Sequence, residues 1–162
     1  MEIVFQTLPT RVDDFLAMPE FDHTTPSRVA ALYIVALCAY RENAEECYKM
    51  INVLKGPEEL NLLEKQFIRN RMLGKAEYLG KAYFKGAKPE NDYTPDLPYT
   101  VLIEEGPFSY AKPGFAKVYV HSSGSDIPRP LELRQKRDQW FLWEHMALLG
   151  DLKRPKGQDP WV

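Results

Sequence analysis

The chain has 162 residues, 44% of them apolar and 27% charged, with a net charge of −2 and a pI near 6.0. That length fits one domain able to bury about 70% of its unfolded surface without metal or disulfide staples. The balance excludes a disordered chain and gives no global basic field for nucleic acid or an anionic membrane, so neither is expected as a partner.

The opening MEIVFQTLPTR lacks a basic stretch followed by an apolar run, so no secretory signal is expected. The longest apolar run, Val29 to Tyr40, falls well short of the roughly 20 residues that span a bilayer. A cytoplasmic location is the expectation. Thr10 with Asp13 predicts a short capped helix over Arg11–Ala17, stopped before Pro19. Thr25 followed by Pro26 predicts an N-cap with proline in the first helical turn, opening a helix to about Tyr40. This segment is apolar nearly all round, which belongs at the centre of a core. Asn43 with Glu46 opens the next helix, whose stripe is Cys47, Met50, Ile51 and Leu54 before Gly56-Pro57. Asn61 with Glu64 opens another, running to about Leu73, with Leu63, Phe67, Ile68 and Met72 as its apolar set. Cys38 and Cys47 have no metal or redox spacing and read as buried reduced thiols.

Residues 75–98 break the pattern with glycine, proline and four rings, Tyr78, Tyr83, Phe84 and Tyr93. They read as an ordered crossover pinned by those rings, or as a lid. Alternation then takes over in Tyr99–Glu105, Phe115–Ser122, Arg129–Lys136 and Trp140 to about Ala147, an antiparallel meander of about four strands. Helices first and strands after is the α+β order. The fold class is therefore α+β, N-terminal helices packed on a C-terminal antiparallel sheet. The organisation is one domain over 1–162: a helical half (1–74), the crossover (75–98), the sheet (99–148) and a tail (149–162).

A two-residue turn at Arg137-Asp138 sets a register by counting: Gln135 faces Trp140, Arg134 faces Phe141, Leu133 faces Leu142, Glu132 faces Trp143 and Leu131 faces Glu144. One face then holds Leu131, Leu133, Trp140, Leu142 and Met146, with Glu144 among them. The other holds Glu132, Arg134, Phe141, Trp143 and His145, continued by Tyr119 and His121 from the preceding strand. Rings interleaved with charges compose a recognition surface, although charged stems covering rings on a solvated sheet face would look the same. The tail could also fold back so that Trp161 covers this face. The loop Ser122–Asp126 beside Arg129 could hold an ion, or be an ordinary turn. The candidate binding residues are Tyr119, His121, Asp126, Arg129, Arg134, Phe141 and Trp143. No nucleotide-binding, metalloprotease, EF-hand or nucleophile-elbow motif occurs. No catalytic residue, metal or cofactor is assigned.

The runs AYFKGAKPENDYTPDLPYT (82–100) and SSGSDIPRPLELRQKRDQWFLWE (122–144) resemble a family of uncharacterised bacterial proteins common in gut Firmicutes, a domain of unknown function. The resemblance spans most of the chain, marked by Gly124, Asp126, Pro128-Arg129-Pro130 and Trp140–Glu144, and it implies no activity. The last two strands are also similar to the NTF2-like cone, from which this chain departs in placing its helices before all strands and in lacking an Asp/His dyad. The resulting expectation is a non-catalytic domain binding a protein or small molecule through the aromatic-charged face. The alternative is a small NTF2-like enzyme or ligand-binding cone with Glu144 or His121 in its pocket.

Overall fold

The structure, a computed structural model, describes residues 1–162. Along the chain lie β1 (Glu2–Phe5), α1 (Val12–Leu16), α2 (Pro26–Cys38), α3 (Ala44–Lys55), α4 (Leu62–Met72), β2 (Tyr99–Glu105), β3 (Phe115–Val120), β4 (Arg129–Lys136) and β5 (Gln139–Glu144). The strands form one antiparallel sheet in the order β1-β2-β3-β4-β5. The class is α+β, but the sheet has five strands where the sequence pattern predicts four. The additional one is the N-terminal EIVF, which pairs with β2 and buries Ile3 and Phe5. All four helices separate it from its partner in sequence, so no hairpin signal marks it.

α2 starts as its punctuation dictates, with the Thr25 hydroxyl accepting the Arg28 N–H at 3.3 Å and Pro26 in the first turn. Every residue of α2 except Arg28 and Cys38 is buried, and the helix contacts every strand of the sheet. Its side chains fill the concave side against Val101, Ile103, Ala116, Val118, Leu131, Leu133 and Leu142. α3 begins at Asn43, whose side-chain Oδ1 accepts the Glu46 N–H, and it buries the expected Cys47, Met50, Ile51 and Leu54. Glu46 does not return a bond to Asn43. It accepts the Val12 N–H at 3.2 Å and pairs with Lys49 at 3.0 Å, which ties α1 to α3. α1 is shorter than predicted, and Thr10 does not cap it; the capping position is Arg11, with no side-chain bond.

α4 has the complete reciprocal box: Asn61 accepts the Glu64 N–H at 2.8 Å and Glu64 accepts the Asn61 N–H at 3.1 Å. Asn61→Ala is expected to cost about 1 kcal/mol, read as a lower urea midpoint with an unchanged slope. The apolar stripe predicted on this helix divides. Ile68 and Met72 are buried, whereas Leu63 is 75% exposed and Phe67 lies out under the Arg71 guanidinium. Only one narrow side of α4 reaches the core, so the i, i+4 pair Leu63–Phe67 stays outside it. No helix of the protein is long and apolar enough to cross a membrane.

Tyr78, Tyr83, Phe84 and Tyr93 are all buried. Tyr78 stacks on Tyr93 at 5.3 Å, Phe84 bridges Val101, and the Tyr83 hydroxyl donates to the Leu148 carbonyl. The tail packs on this crossover, with the Gly157 N–H donating to Asp92 at 2.6 Å and Gln158 donating to the Gly74 carbonyl. Trp161 is 89% exposed, so it covers no sheet face, contrary to the fold-back considered above.

The terminal hairpin follows the counted register from Lys136–Gln139 to Leu133–Leu142, with Arg137 at the turn in the left-handed region, φ 58°. A bulge then intervenes, and Glu132 faces Glu144 rather than Trp143. The extra residue on β5 reverses the parity beyond it. Glu144 is therefore exposed on the outer face, while His145 turns inward and is buried, the reverse of the expected placements. β5 also ends at Glu144 instead of running to Ala147, and a tight helical turn, Met146–Leu149, follows.

Candidate functional site

The outer face of the sheet is built by strict alternation on β3, where Ala116, Val118 and Val120 are buried and Phe115, Lys117 and Tyr119 are half-buried. Phe115 faces Arg134 across the β3–β4 ladder, Lys117 faces Glu132, and Tyr119 faces Pro130. The Arg134 guanidinium lies 4.6 Å from the Trp143 ring and 5.4 Å from the Phe115 ring, and these two rings meet edge to face at 6.0 Å. Lys112 stands over Phe115 at 4.0 Å. The guanidinium thus sits close to both rings, and its donors make no hydrogen bond or ion pair within the protein.

Beside this cluster the terminal hairpin meets the turn that follows α3, and a cleft of about 280 Å³ opens between them. Lys55, Pro57 and Glu58 line one wall; Arg134, Gln135, Lys136, Phe141, Leu142 and Trp143 line the other. Phe141 is seated against Gly56 and the His23 ring, the latter at 4.9 Å. His23 also closes the outer edge of β5, its carbonyl accepting the Trp140 N–H at 2.8 Å and its Nδ1 lying 2.7 Å from the Trp140 carbonyl.

Lys55 connects the cleft to a polar group inside the core. Its ammonium lies 3.5 Å from Glu64 Oε2, which is 4.0 Å from His145 Nε2; His145 Nδ1 lies 2.8 Å from the Tyr33 hydroxyl. His145 Nε2 has no hydrogen-bond partner. Burial, helped by the nearby Lys55 charge and opposed by Glu64, pushes the His145 pKa down to about 4, so the ring is neutral at pH 7. Burial likewise raises the Tyr33 hydroxyl well above its ordinary range. His145 and Tyr33 are buried while Glu64 reaches solvent, and the group ties α2, α3, α4 and the end of β5 together. Burial pushes the Cys38 thiol up to about 12 and the Cys47 thiol higher still, which suits inert side chains.

The seven candidate residues fall in three places. Arg134, Phe141 and Trp143 come together at the cleft. Tyr119 and His121 lie toward the other end of the outer face, Tyr119 across Gly106 and His121 paired with Glu104 at 3.4 Å. Asp126 is exposed and pairs with Lys153 at 3.0 Å. Arg129 shares the inner parity of Leu131 and Leu133, and it donates to the carbonyls of Ala147, Gly150 and Asp151 and to the Tyr83 and Ser125 hydroxyls. Its fork staples the turn after β5 to the sheet. Phe115 was open to the same counting by twos that selects Tyr119. Lys55, Pro57 and Glu58 come from the helical half, and no local pattern links them to the hairpin. No three His, Cys, Asp or Glu side chains converge as a metal-binding set.

The fold and this site define an α+β domain with a cation-lined cleft at the margin of an antiparallel sheet. Residues 7–156 match a family described as a domain of unknown function (DUF6935), and the chain belongs to that family. No curated protein and no solved structure matches the chain.

Proposed function

We propose that the protein is a non-catalytic binding domain whose recognition surface is the cleft between the terminal hairpin and the turn after α3. The observation that carries this reading is the convergence of Arg134, Phe141 and Trp143 with Lys55 around one opening. Rings supply contact area and the cations supply direction, the composition of a recognition patch. Tyr119 and His121 extend the same sheet face beyond the cleft and would contact only a larger partner. The cone-shaped alternative needs an open concave interior, and here α2 fills it. Its two candidate groups face elsewhere, Glu144 on the exposed outer face and His121 beside Glu104.

A thermal-shift screen of small molecules tests the reading. Compounds that raise the melting temperature of the native protein are expected to lose that effect in Trp143→Ala and Arg134→Ala, while the unliganded variants melt within about 2 °C of the native protein. Stabilisation that persists in both variants, or variants that melt far lower, would show these side chains to be structural.

A further inference from the structure

We infer that the cleft takes a small organic anion: a carboxylate or phosphate carried on a planar apolar body, its acidic group between Lys55 and Arg134 and its body against Phe141 and Trp143. This rests on the cleft being the binding site and names the chemistry of what enters it.

Lys55 is the strongest element. Its side chain is only 9% exposed, yet it lines the cleft. An ammonium has three donors, and this one has a single protein contact, 3.5 Å to Glu64. Glu64 is itself divided, one oxygen accepting the Asn61 N–H and the other standing 4.0 Å from His145. A nearly buried cation with two unengaged donors is costly unless something supplies acceptors. Its place in the last turn of α3 also favours positive charge there, whatever Glu64 does.

Arg134 adds geometry. Its guanidinium stands beside the Phe115 and Trp143 rings with every donor unengaged, and a free guanidinium can grip an oxyanion through two parallel bonds. Lys136 lines the same wall without an ion pair, and Glu58 is the one acid lining the cleft. Three cations against one acid stand out in a chain whose net charge is −2. The volume, about 280 Å³, suits a ring with a short acidic arm.

Indole-3-acetate and phenyl phosphate serve as anionic probes, with indole-3-acetamide as the neutral control and tryptamine as the cationic one. Binding is followed by calorimetry and by the indole N–H signal of Trp143, assigned with Trp143→Phe. Both anions are expected to shift that signal below about 20 mM, at least about tenfold more tightly than the amide, with no response to tryptamine. Arg134→Gln and Lys55→Met are each expected to weaken the anions by about tenfold or more and to leave the amide unchanged. Arg134 is exposed, so Arg134→Gln keeps the test decisive if Lys55→Met fails to fold. If amide and anion bind at Trp143 with equal affinity, the anion inference falls while the cleft reading stands. If neither anion moves the Trp143 signal, the inference is overturned.

Discussion

Gly56→Ala is expected to lower stability by about 2–4 kcal/mol and to abolish binding at the cleft. Two costs combine. Gly56 sits just past α3 at φ +71° and ψ −121°, outside the left-handed helical region, which costs at least about 1 kcal/mol for a residue with a side chain. A Cβ there would also lie 2.5 Å from Phe141 Cδ1 and 3.0 Å from its Cγ, so the whole ring has to leave its seat, at a further cost of about 1–3 kcal/mol. Gly74 supplies the control: it has the same φ, and nothing lies within 4 Å of its added Cβ. Gly74→Ala should therefore show only the backbone cost of about 1 kcal/mol. Urea denaturation of the two variants should show the larger loss at Gly56. Equal losses would mean that Phe141 does not rest on Gly56.

The second large effect is a pH dependence carried by His145. Its folded pKa, about 4, lies below the ordinary 6.5, so below pH 6.5 the unfolded chain binds a proton that the folded protein refuses. The stability this ring contributes is complete above pH 6.5, declines as pH falls, and is lost once pH passes about 4. The total amounts to about 3 kcal/mol over that window. In His145→Phe the slope of unfolding free energy between those limits should flatten, although the variant is less stable throughout because the Tyr33 hydroxyl loses its partner. The ring protons of His145 are expected to keep their neutral-form shifts down to about pH 5. An ordinary titration near 6.5, or an unchanged slope in the variant, would show that the ring is open to water.

Much of the scaffold was legible in local pattern. Proline in the first turn and apolar residues on all sides identify α2 as the central helix, and its burial follows from having no polar face to present. Parity does the same for the hairpin, where counting outward from Arg137-Asp138 pairs Arg134 with Phe141 and places both on the outer face. What escaped was long-range or lacked a residue signature. β1 finds its partner only after all four helices have been laid down, and the Trp143 bulge arises in a run containing neither glycine nor proline. That one inserted position exchanges the fates of Glu144 and His145, so a group expected at the surface becomes a neutral imidazole in the core. The site divides the same way: Arg134, Phe141 and Trp143 are visible to strand counting, whereas the Lys55 wall needs the three-dimensional fold to bring it alongside. α4 shows the opposite error, in which an i, i+4 apolar pair suggests burial but the helix offers the core a different side.

The carbonyl and ring nitrogen of His23 hold both backbone groups of Trp140, which bears on how the ligand proposed above would dock. They occupy the hydrogen-bonding groups through which another chain would zip onto the last rung of the ladder, and the α3–α4 corner shields the stretch next to it. Strand addition is thus blocked at this rung, and the ligand proposed above would be read broadside, by tips of rings and cations rather than by main-chain complementarity.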